Sequence, residues 1–159
     1  MNRSKQEGFS IRAAHAADLE GLLKLYQQLN PSDEEISPDL AASGLDAIKQ
    51  IPSSAVMLGL LGAVLVASCT LIVIPNLTRG GKPYALIENV VTDARYRGRG
   101  YGTRLLHAAV QGAWSADCYK VMLLTGSKQP STLRFYESAG FEQSKTGFQM
   151  RRMAARHDA

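Results

Sequence analysis

Cysteine is scarce in this chain, and charge is missing from one long stretch of it. The 159 residues include two cysteines, Cys69 and Cys118, which lie far apart and in no metal-ligand spacing. A disulfide framework and a cysteine-based zinc site are therefore not expected. A chain of this length buries about 70% of its unfolded surface on folding, so its stability does not require disulfides or a structural metal.

No charged residue occurs between Lys49 and Arg79. The apolar part of this stretch, residues 55–74, is long enough to cross a bilayer as a helix, for which about 20 residues suffice. Glycines interrupt its middle, however, and its second half is rich in β-branched residues, which favour strands. We therefore predict two antiparallel strands with both faces buried, over about 55–60 and 63–74, and not a membrane helix.

The excess of positive charge is small. Lys and Arg number 18 against 14 Asp and Glu, which gives a formal net charge of +4. This excess permits an anionic ligand but does not indicate nucleic acid, because the arginines cluster at one loop and are not interleaved with aromatics. The N-terminus shows no apolar segment of a secretory signal. We expect a cytoplasmic protein with neither a nucleic-acid nor a membrane partner.

Hydrophobic periodicity divides the chain into strands and helices of one mixed α/β (α+β) unit. We predict a single domain over residues 9–153, between a disordered N-terminus of residues 1–8 and a short tail of residues 154–159. The element order is β-α-α-β-β-β-α-β-α-β. The predicted strands cover 9–13, 55–60, 63–74, 84–92, 119–125 and 141–150, and the predicted helices cover about 19–29, 38–51, 103–114 and 130–139.

Two helices carry specific expectations about their buried faces. On the helix over 38–51, helical spacing predicts that Leu40, Leu45 and Ile48 point inward. On the helix that follows the glycine-rich turn, the buried stripe ends at Ala113 and Trp114, and we expect Trp114 in the core.

A glycine-rich turn stands between the strand over 84–92 and its following helix. Gly98, Gly100 and Gly102 fall here among four arginines, at 95, 97, 99 and 104. Missing side chains let backbone N–H groups approach phosphate oxygens, and the helix N-terminus adds its dipole, so a diphosphate is the expected ligand. The spacing is not that of a P-loop, and a Rossmann fingerprint would usually follow the first strand. A plain turn with solvated arginines is the structural alternative.

The same residues resemble the acetyl-CoA motif of the GNAT family of N-acetyltransferases. That motif reads Arg/Gln-x-x-Gly-x-Gly/Ala, and residues 97–102 read Arg-Gly-Arg-Gly-Tyr-Gly. A second family signature, FYExxGF, matches residues 135–141. The element order matches as well, so the resemblance covers nearly the whole chain and implies the GNAT fold, a mixed, mostly antiparallel twisted sheet. Residues 87–91 and 118–120 look most similar to the glucosamine 6-phosphate N-acetyltransferase branch.

The resemblance implies that acetyl-CoA binds where the strand before the motif parts from its neighbour, and it implies no metal. An N–H near Val90 and Val91 would polarise the thioester carbonyl. The backbone of residues 97–102 would hold the pyrophosphate. The residues implied to contact the cofactor are Val90, Val91, Arg97, Gly98, Arg99, Gly100, Tyr101, Gly102, Thr103, Thr132 and Phe135.

The family reaction is the direct attack of an amine on the thioester in a ternary complex. By resemblance, Tyr136 would protonate the leaving thiolate, since a phenol of pKa about 10 can serve a thiolate of pKa about 8.5. Glu88 would be the base, because it lies in an otherwise apolar strand where an unpaired carboxylate is costly. A core tyrosine and a structural or solvent-facing carboxylate are the alternatives.

The resemblance implies a small amine or amino sugar as acceptor, and a homodimer. The chain departs from the glucosamine 6-phosphate enzymes at two places. Residues 123–127 lack the acidic residue that those enzymes carry there, and Thr132 stands where they commonly place an Asn. A protein or peptide amine as acceptor, and a non-catalytic acyl-CoA-binding module, remain as alternative functions.

Overall fold

The structure is a computed structural model that describes residues 8–153, in which one sheet carries helices on both faces. Its main elements are β1 Phe9–Ala13, α1 Leu19–Leu29, α2 Pro38–Gln50, β2 Ala55–Leu61, β3 Val64–Ile74, β4 Tyr84–Thr92, α3 Tyr101–Ser115, β5 Val121–Leu123 and α4 Pro130–Ser138. The strands lie in the order β1-β2-β3-β4-β5. The first four pair antiparallel, and β5 runs parallel to β4. The predicted fold class is confirmed.

The charge-free stretch forms the hairpin of β2 and β3 in the middle of the sheet, as predicted. The two strands are antiparallel, and most of their side chains are buried on both faces. Gly62 turns the chain with a positive φ of 57°, and its N–H donates to the carbonyl of Gly8 at 3.1 Å. Among residues 8–153, no helix has the length and apolar character needed to cross a membrane.

Helices α1 and α2 cover one face of the sheet and α3 covers the other. On the first face, Leu22 and Leu45 pack with Val56, Leu58 and Leu60 of β2. On the second face, the core joins the apolar side of α3 to β3 and β4; its most buried members include Leu105, Leu106, Ala109, Cys69 and Ile87. The sheet is therefore buried from both sides at its centre, which explains why its central strands contain so few polar residues.

A bulge interrupts the ladder between β3 and β4. Ser68 pairs with Val91 and Thr70 pairs with Glu88, so two residues of β4 stand opposite Cys69 alone. Asn89 is one of these two residues, and its backbone is in the left-handed region, with a φ of 52°. A bulge of this kind bends its strand and redirects the following side chains. Within the bulge, Val90 packs on the face of α3.

The parallel pairing of β4 with β5 ends just before this bulge. The paired residues are Ala85, Leu86 and Ile87 of β4 with the three residues of β5. β4 continues to Thr92, whereas β5 stops at Leu123. The second half of β4 therefore has no pairing partner on this side. The result is a gap in the sheet beside the C-terminal half of β4.

Three expectations from the sequence are wrong. Residues 141–150 are irregular and do not form the predicted last strand. Six successive residues, 142–147, have no apolar side chain, so this segment has no face to bury. Leu40 is 62% exposed and Trp114 is 45% exposed, because each lies at the edge of its helix's apolar stripe, beyond the reach of the sheet.

The predicted domain limits remain a prediction. Residues 1–7 and 154–159, on which the predicted disordered N-terminus and tail fall, lie outside the described residues. The predicted elements from residue 9 to Ser138 each have a counterpart, although β5 is shorter than the predicted strand over 119–125.

Candidate functional site

The gap between β4 and β5 is where the residues predicted to act lie together. The C-terminal half of β4 borders it on one side, and the segment from β5 to α4 borders it on the other. Backbone groups of β4 beyond Ile87 have no ladder partner on the β5 side. Such an edge can pair with an extended, amide-bearing ligand in the way that it would pair with a strand.

The glycine-rich turn lies where β4 leads into α3. Gly98 has a φ of 72° and Gly100, the residue that caps α3, has a φ of 79°, both in the left-handed region. The first helical hydrogen bond runs from the N–H of Arg104 to the carbonyl of Gly100, at 3.1 Å. No side chain of the described residues caps the helix start. The N–H groups of the first turn are therefore free to receive an anion.

Gly102 is required for another reason, which is close packing. A Cβ atom at Gly102 would lie 3.0 Å from the hydroxyl oxygen of Thr92 and 3.2 Å from the ring of Phe135. The first turn of α3 is thus pressed against the end of β4 and against α4. Phe135 in turn lies 5.0 Å, between ring centroids, from Tyr136.

The side chains of this turn are engaged with the protein itself. Arg97 donates from Nε to the carbonyl of Thr92 at 3.0 Å, and so ties the turn to the strand end. The guanidinium of Arg99 lies over the ring of Tyr96, at 5.5 Å from its centroid. Tyr101 is buried and stacks on Phe9. The turn therefore offers its backbone to a ligand, and the arginines add positive charge around it.

Thr103 and Thr132 lie half-buried at the two helix starts that face the gap. Thr103 is in the first turn of α3. The hydroxyl of Thr132, in the first turn of α4, accepts from the hydroxyl of Ser127 at 3.3 Å. This bond ties the start of α4 to the segment that leaves β5.

Tyr136 lies half-buried on α4, between the rings of Phe135 and Phe141. Burial raises the pKa of its hydroxyl, and the negative charge of Glu88 raises it further. The phenol therefore keeps its proton at neutral pH and is available as a hydrogen-bond donor or an acid.

The position of Glu88 differs from the apolar environment that the sequence predicted for its carboxylate. Its strand is apolar, but the side chain itself is exposed, because it comes just before the bulge at the open end of the β4–β5 ladder. The argument that an apolar environment destabilises this carboxylate does not hold. Val91, across the bulge, is 5% exposed, while Val90 is half-buried.

Asp93 is a residue of the candidate site that the sequence did not lead us to expect. It follows β4 directly, is buried, and accepts from the backbone N–H of Arg95 at 2.9 Å and from its guanidinium at 2.9 and 3.1 Å. Gln28 of α1 donates to the same carboxylate at 3.2 Å and accepts from the N–H of Ala94 at 2.9 Å. An Asp placed directly between a strand and a turn was the available sequence signal.

Asp93 and Gln28 therefore fix the start of the glycine-rich turn to α1. The hydrogen bonds from Arg95 hold the pKa of the Asp93 carboxyl well below its usual range. Among residues 8–153, no group of three or more His, Cys, Asp or Glu side chains is placed to hold a metal ion.

Residues 19–141 match the Acetyltransferase (GNAT) family. Glucosamine 6-phosphate N-acetyltransferase 1 of Oryza sativa subsp. japonica is 33% identical over 143 residues, which cover 85% of this chain and 82% of that one. Glucosamine 6-phosphate N-acetyltransferase of Trypanosoma brucei brucei is 42% identical over 77 residues, 48% of this chain and half of that one. A solved structure from Agrobacterium tumefaciens strain C58 is 50% identical, with a TM-score of 0.85, over 90% of this chain and 99% of that one.

The Asp93 network predicts a pH-dependent effect on stability. We expect Asp93→Asn to lower the free energy of unfolding at pH 7 by roughly 1–3 kcal/mol, because it removes hydrogen bonds to a buried charged group. Since the folded pKa lies below the unfolded one, the wild-type advantage is complete above about pH 5 and declines as the pH falls towards 2. Urea unfolding of both proteins across this range measures it.

Asp46→Asn is the matched control, because Asp46 is an exposed carboxylate 4.0 Å from Lys49. We expect it to change stability by less than about 0.5 kcal/mol at any pH. A difference between wild type and Asp93→Asn that stays constant down to pH 2 would contradict the role given to the Asp93 carboxylate.

Proposed function

Because the chain belongs to the GNAT acetyltransferase family, we propose that it transfers the acetyl group of acetyl-CoA to a primary amine of a small molecule, such as an amino sugar. The observation that carries this proposal is the gap at the β4 bulge, which has the glycine-rich turn at one end and Tyr136 and Glu88 beside it. The amine attacks directly, in a ternary complex.

The residues of the gap fit the shape and charge of acetyl-CoA. Free backbone groups of β4 beyond Ile87 suit the amides of the pantetheine arm. The uncapped N–H groups at the start of α3, next to Gly98 and Gly100, suit the pyrophosphate. The surrounding arginines give this end of the gap the sign of charge that a nucleotide requires.

When bound, acetyl-CoA supplies the thioester carbon that the amine attacks. Backbone N–H groups near Val90 and Val91 then hydrogen-bond the carbonyl oxygen as negative charge develops on it. Tyr136 donates its proton to the departing sulfur. Burial that keeps the proton on the phenol also makes a thiolate in the same place a better proton acceptor, so the transfer remains feasible.

Glu88 takes the proton that the amine must lose, either directly or through a water molecule. Its exposed position at the mouth of the gap lets a soluble amine reach it from solvent. The half-buried acid and the exposed base thus stand on opposite sides of the reacting carbon. This arrangement suits an attacking group that arrives from water and a leaving group that stays inside the protein.

We further propose that the protein works in the cytoplasm as a homodimer. Both cysteines are unpaired and buried, which suits a reducing compartment. Apolar side chains are exposed on and directly after β5, and on the segment after α4; we call these residues the C-terminal apolar patch: Met122, Leu124, Phe148 and Met150. Gly147 approaches Leu124 so closely that a Cβ would lie 3.1 Å from its side chain, so the segment after α4 passes next to the residue that follows β5. A second copy would cover this patch.

Tyr136→Phe removes the proposed acid and keeps the ring. We expect kcat to fall by about 10²–10⁴-fold while the affinity for acetyl-CoA stays nearly the same, because the hydroxyl acts only as the sulfur departs. Steady-state release of CoA, with calorimetry for binding, measures both quantities. Tyr119→Phe, at the far end of β5 where the ring packs on Tyr84, is the control and should retain wild-type kcat. Wild-type turnover in Tyr136→Phe would refute the acid assignment.

A panel of amines decides the acceptor class. We expect CoA release to be fastest with amino sugars, glucosamine 6-phosphate among them, compared with polyamines, free amino acids, a lysine peptide and a peptide with a free N-terminus. A preference for either peptide would favour a protein acceptor. Tight acetyl-CoA binding without acetylation of any amine would favour a non-catalytic acyl-CoA-binding module, and no acetyl-CoA binding would refute the proposal.

The dimer is tested by size-exclusion chromatography with light scattering. We expect a mass near twice 17.2 kDa for the wild type, and a shift towards the monomer for the double variant Phe148→Ser with Met150→Ser. Leu77→Ser is the matched control, because Leu77 is equally exposed but lies in the loop between β3 and β4. A monomeric wild type at micromolar concentration would refute the proposed dimer.

A further inference from the structure

An aromatic contact joins the first strand to the start of α3, although the two are far apart in the sequence. The ring of Phe9, the first residue of β1, stacks on the ring of Tyr101, with centroids 4.8 Å apart and an angle of 23° between the planes. The guanidinium of Arg104 lies over the ring of Phe9, at 4.4 Å from its centroid. Tyr101 and Arg104 belong to the first turn of α3, so one side chain of β1 contacts that turn twice. We call these three residues the Phe9 stack.

A glycine of β2 makes room for the ring of Phe9. Phe9 pairs with Leu61, and its ring reaches along the strand to Gly59. A Cβ atom at Gly59 would lie 2.8 and 2.9 Å from two atoms of the ring, which is closer than side chains approach one another. Glycine inside a strand weakens it, and it often marks a place where a neighbour comes close. The bare backbone at Gly59 therefore lets the ring lie where it meets α3.

The glycine-rich turn depends on support from its two ends. Three of the five residues 98–102 are glycines, which lose more conformational freedom on ordering than any other residue. At the strand end, Asp93 accepts from the N–H of Arg95, and Arg97 donates to the carbonyl of Thr92. At the helix end, no side chain of residues 8–153 caps α3. There the Phe9 stack holds the first turn from outside.

Arg104 lies at an unfavourable place for a cation. The N-terminus of a helix carries partial positive charge, which repels a cation in the first turn. The first turn of α3 contains no acidic residue. Contact with the face of the Phe9 ring offsets part of this repulsion, and an anion bound at the helix start would offset more of it. In the proposed function, that anion is the pyrophosphate of acetyl-CoA.

We propose that Phe9 is a positioning residue for the nucleotide half of acetyl-CoA, because it holds the first turn of α3 with its uncapped N–H groups towards the pyrophosphate. This inference rests on the proposed function, which makes acetyl-CoA the ligand of that turn. Phe9 acts through Tyr101 and Arg104 and needs no contact with the cofactor. A turn that is held less firmly is competent to bind for a smaller fraction of the time, and the apparent affinity falls by that fraction.

Phe9→Leu removes the ring and keeps an apolar side chain. We expect the Kd for CoA, measured by calorimetry, to rise about tenfold, which is the combined size of an aromatic pair and a cation–π contact. The loss should be confined to ligands that carry the pyrophosphate. With acetyl-CoA as donor, kcat/KM should also fall about tenfold, whereas with S-acetyl-pantetheine, which has no nucleotide, it should stay within about twofold of the wild-type value.

Gly59→Ala tests the same contact from the neighbouring strand. Its Cβ would displace the ring of Phe9, so the Kd for CoA should rise here as well. Leucine lacks the two ring atoms that this Cβ would meet. Gly59→Ala should therefore change the Kd little in a Phe9→Leu background, because both substitutions act on one contact. A double variant whose rise in Kd equals the product of the two single effects would contradict the proposal.

Ile11→Ala is the matched control. Ile11 lies on the same strand as Phe9, packs on the same core and pairs with Gly59. We expect it to lower the free energy of unfolding in urea about as much as Phe9→Leu does, and to leave the Kd for CoA unchanged. An equal rise in Kd in both variants would mean that general stability is responsible, and it would overturn the positioning role. A wild-type Kd in Phe9→Leu would overturn it too.

Failure of the proposed function gives a different result. A wild-type protein that binds CoA but acetylates no amine would refute the transfer reaction. The calorimetric comparison of Phe9→Leu with Ile11→Ala would still decide the role of Phe9, because it needs no turnover. A wild-type protein that binds no CoA would refute both the proposed function and the role of Phe9.

Discussion

The left-handed backbone at Asn89 is the constraint on which the site depends. An extra residue at this point shifts the β3–β4 register, so that Glu88 and Val91 share the face of α1 while Val90 packs on the face of α3. The pairing of β4 with β5 ends one residue before Glu88. The end of β5 therefore frees the backbone of β4, and the local conformation at Asn89 sets the directions of the side chains that follow.

The opening persists because its far end is anchored separately. Asp93 holds the chain as it leaves β4, and Gln28 attaches that point to α1. Gly100 then starts α3 in a conformation that leaves the first helical N–H groups uncapped, while Gly102 allows the helix to pack on Thr92 and Phe135. The uncapped N–H groups and the unpaired strand edge would each be unfavourable if buried; in the proposed function both are satisfied by one elongated ligand.

Much of this could be predicted from the sequence. The central hairpin, the order of the elements and the glycine-rich turn follow from local patterns of hydrophobicity, β-branching and glycine spacing, which sense only neighbours along the chain. The bulge could not be predicted, because it depends on how two strands align. The same limit explains why the environment of Glu88 was predicted wrongly. Its neighbours in sequence are mostly apolar, but it lies past the end of the β4–β5 ladder and is exposed. The predictions of a buried Trp114 and of a strand over 141–150 were wrong for a related reason. Tertiary contacts decide whether the edge of a helix is covered and whether a segment pairs as a strand.

The contrast between Glu88 and Tyr136 bears on how the proposed base and the proposed acid could act in one small site. Two groups of opposite task need different surroundings, and these two residues have them. Tyr136 is packed between aromatic rings, where its proton is retained. Glu88 remains in contact with solvent, so burial does not prepare it for the proposed role of base. On this argument the proposed acid depends on its apolar packing, whereas the proposed base depends on its access to solvent, from which the amine arrives.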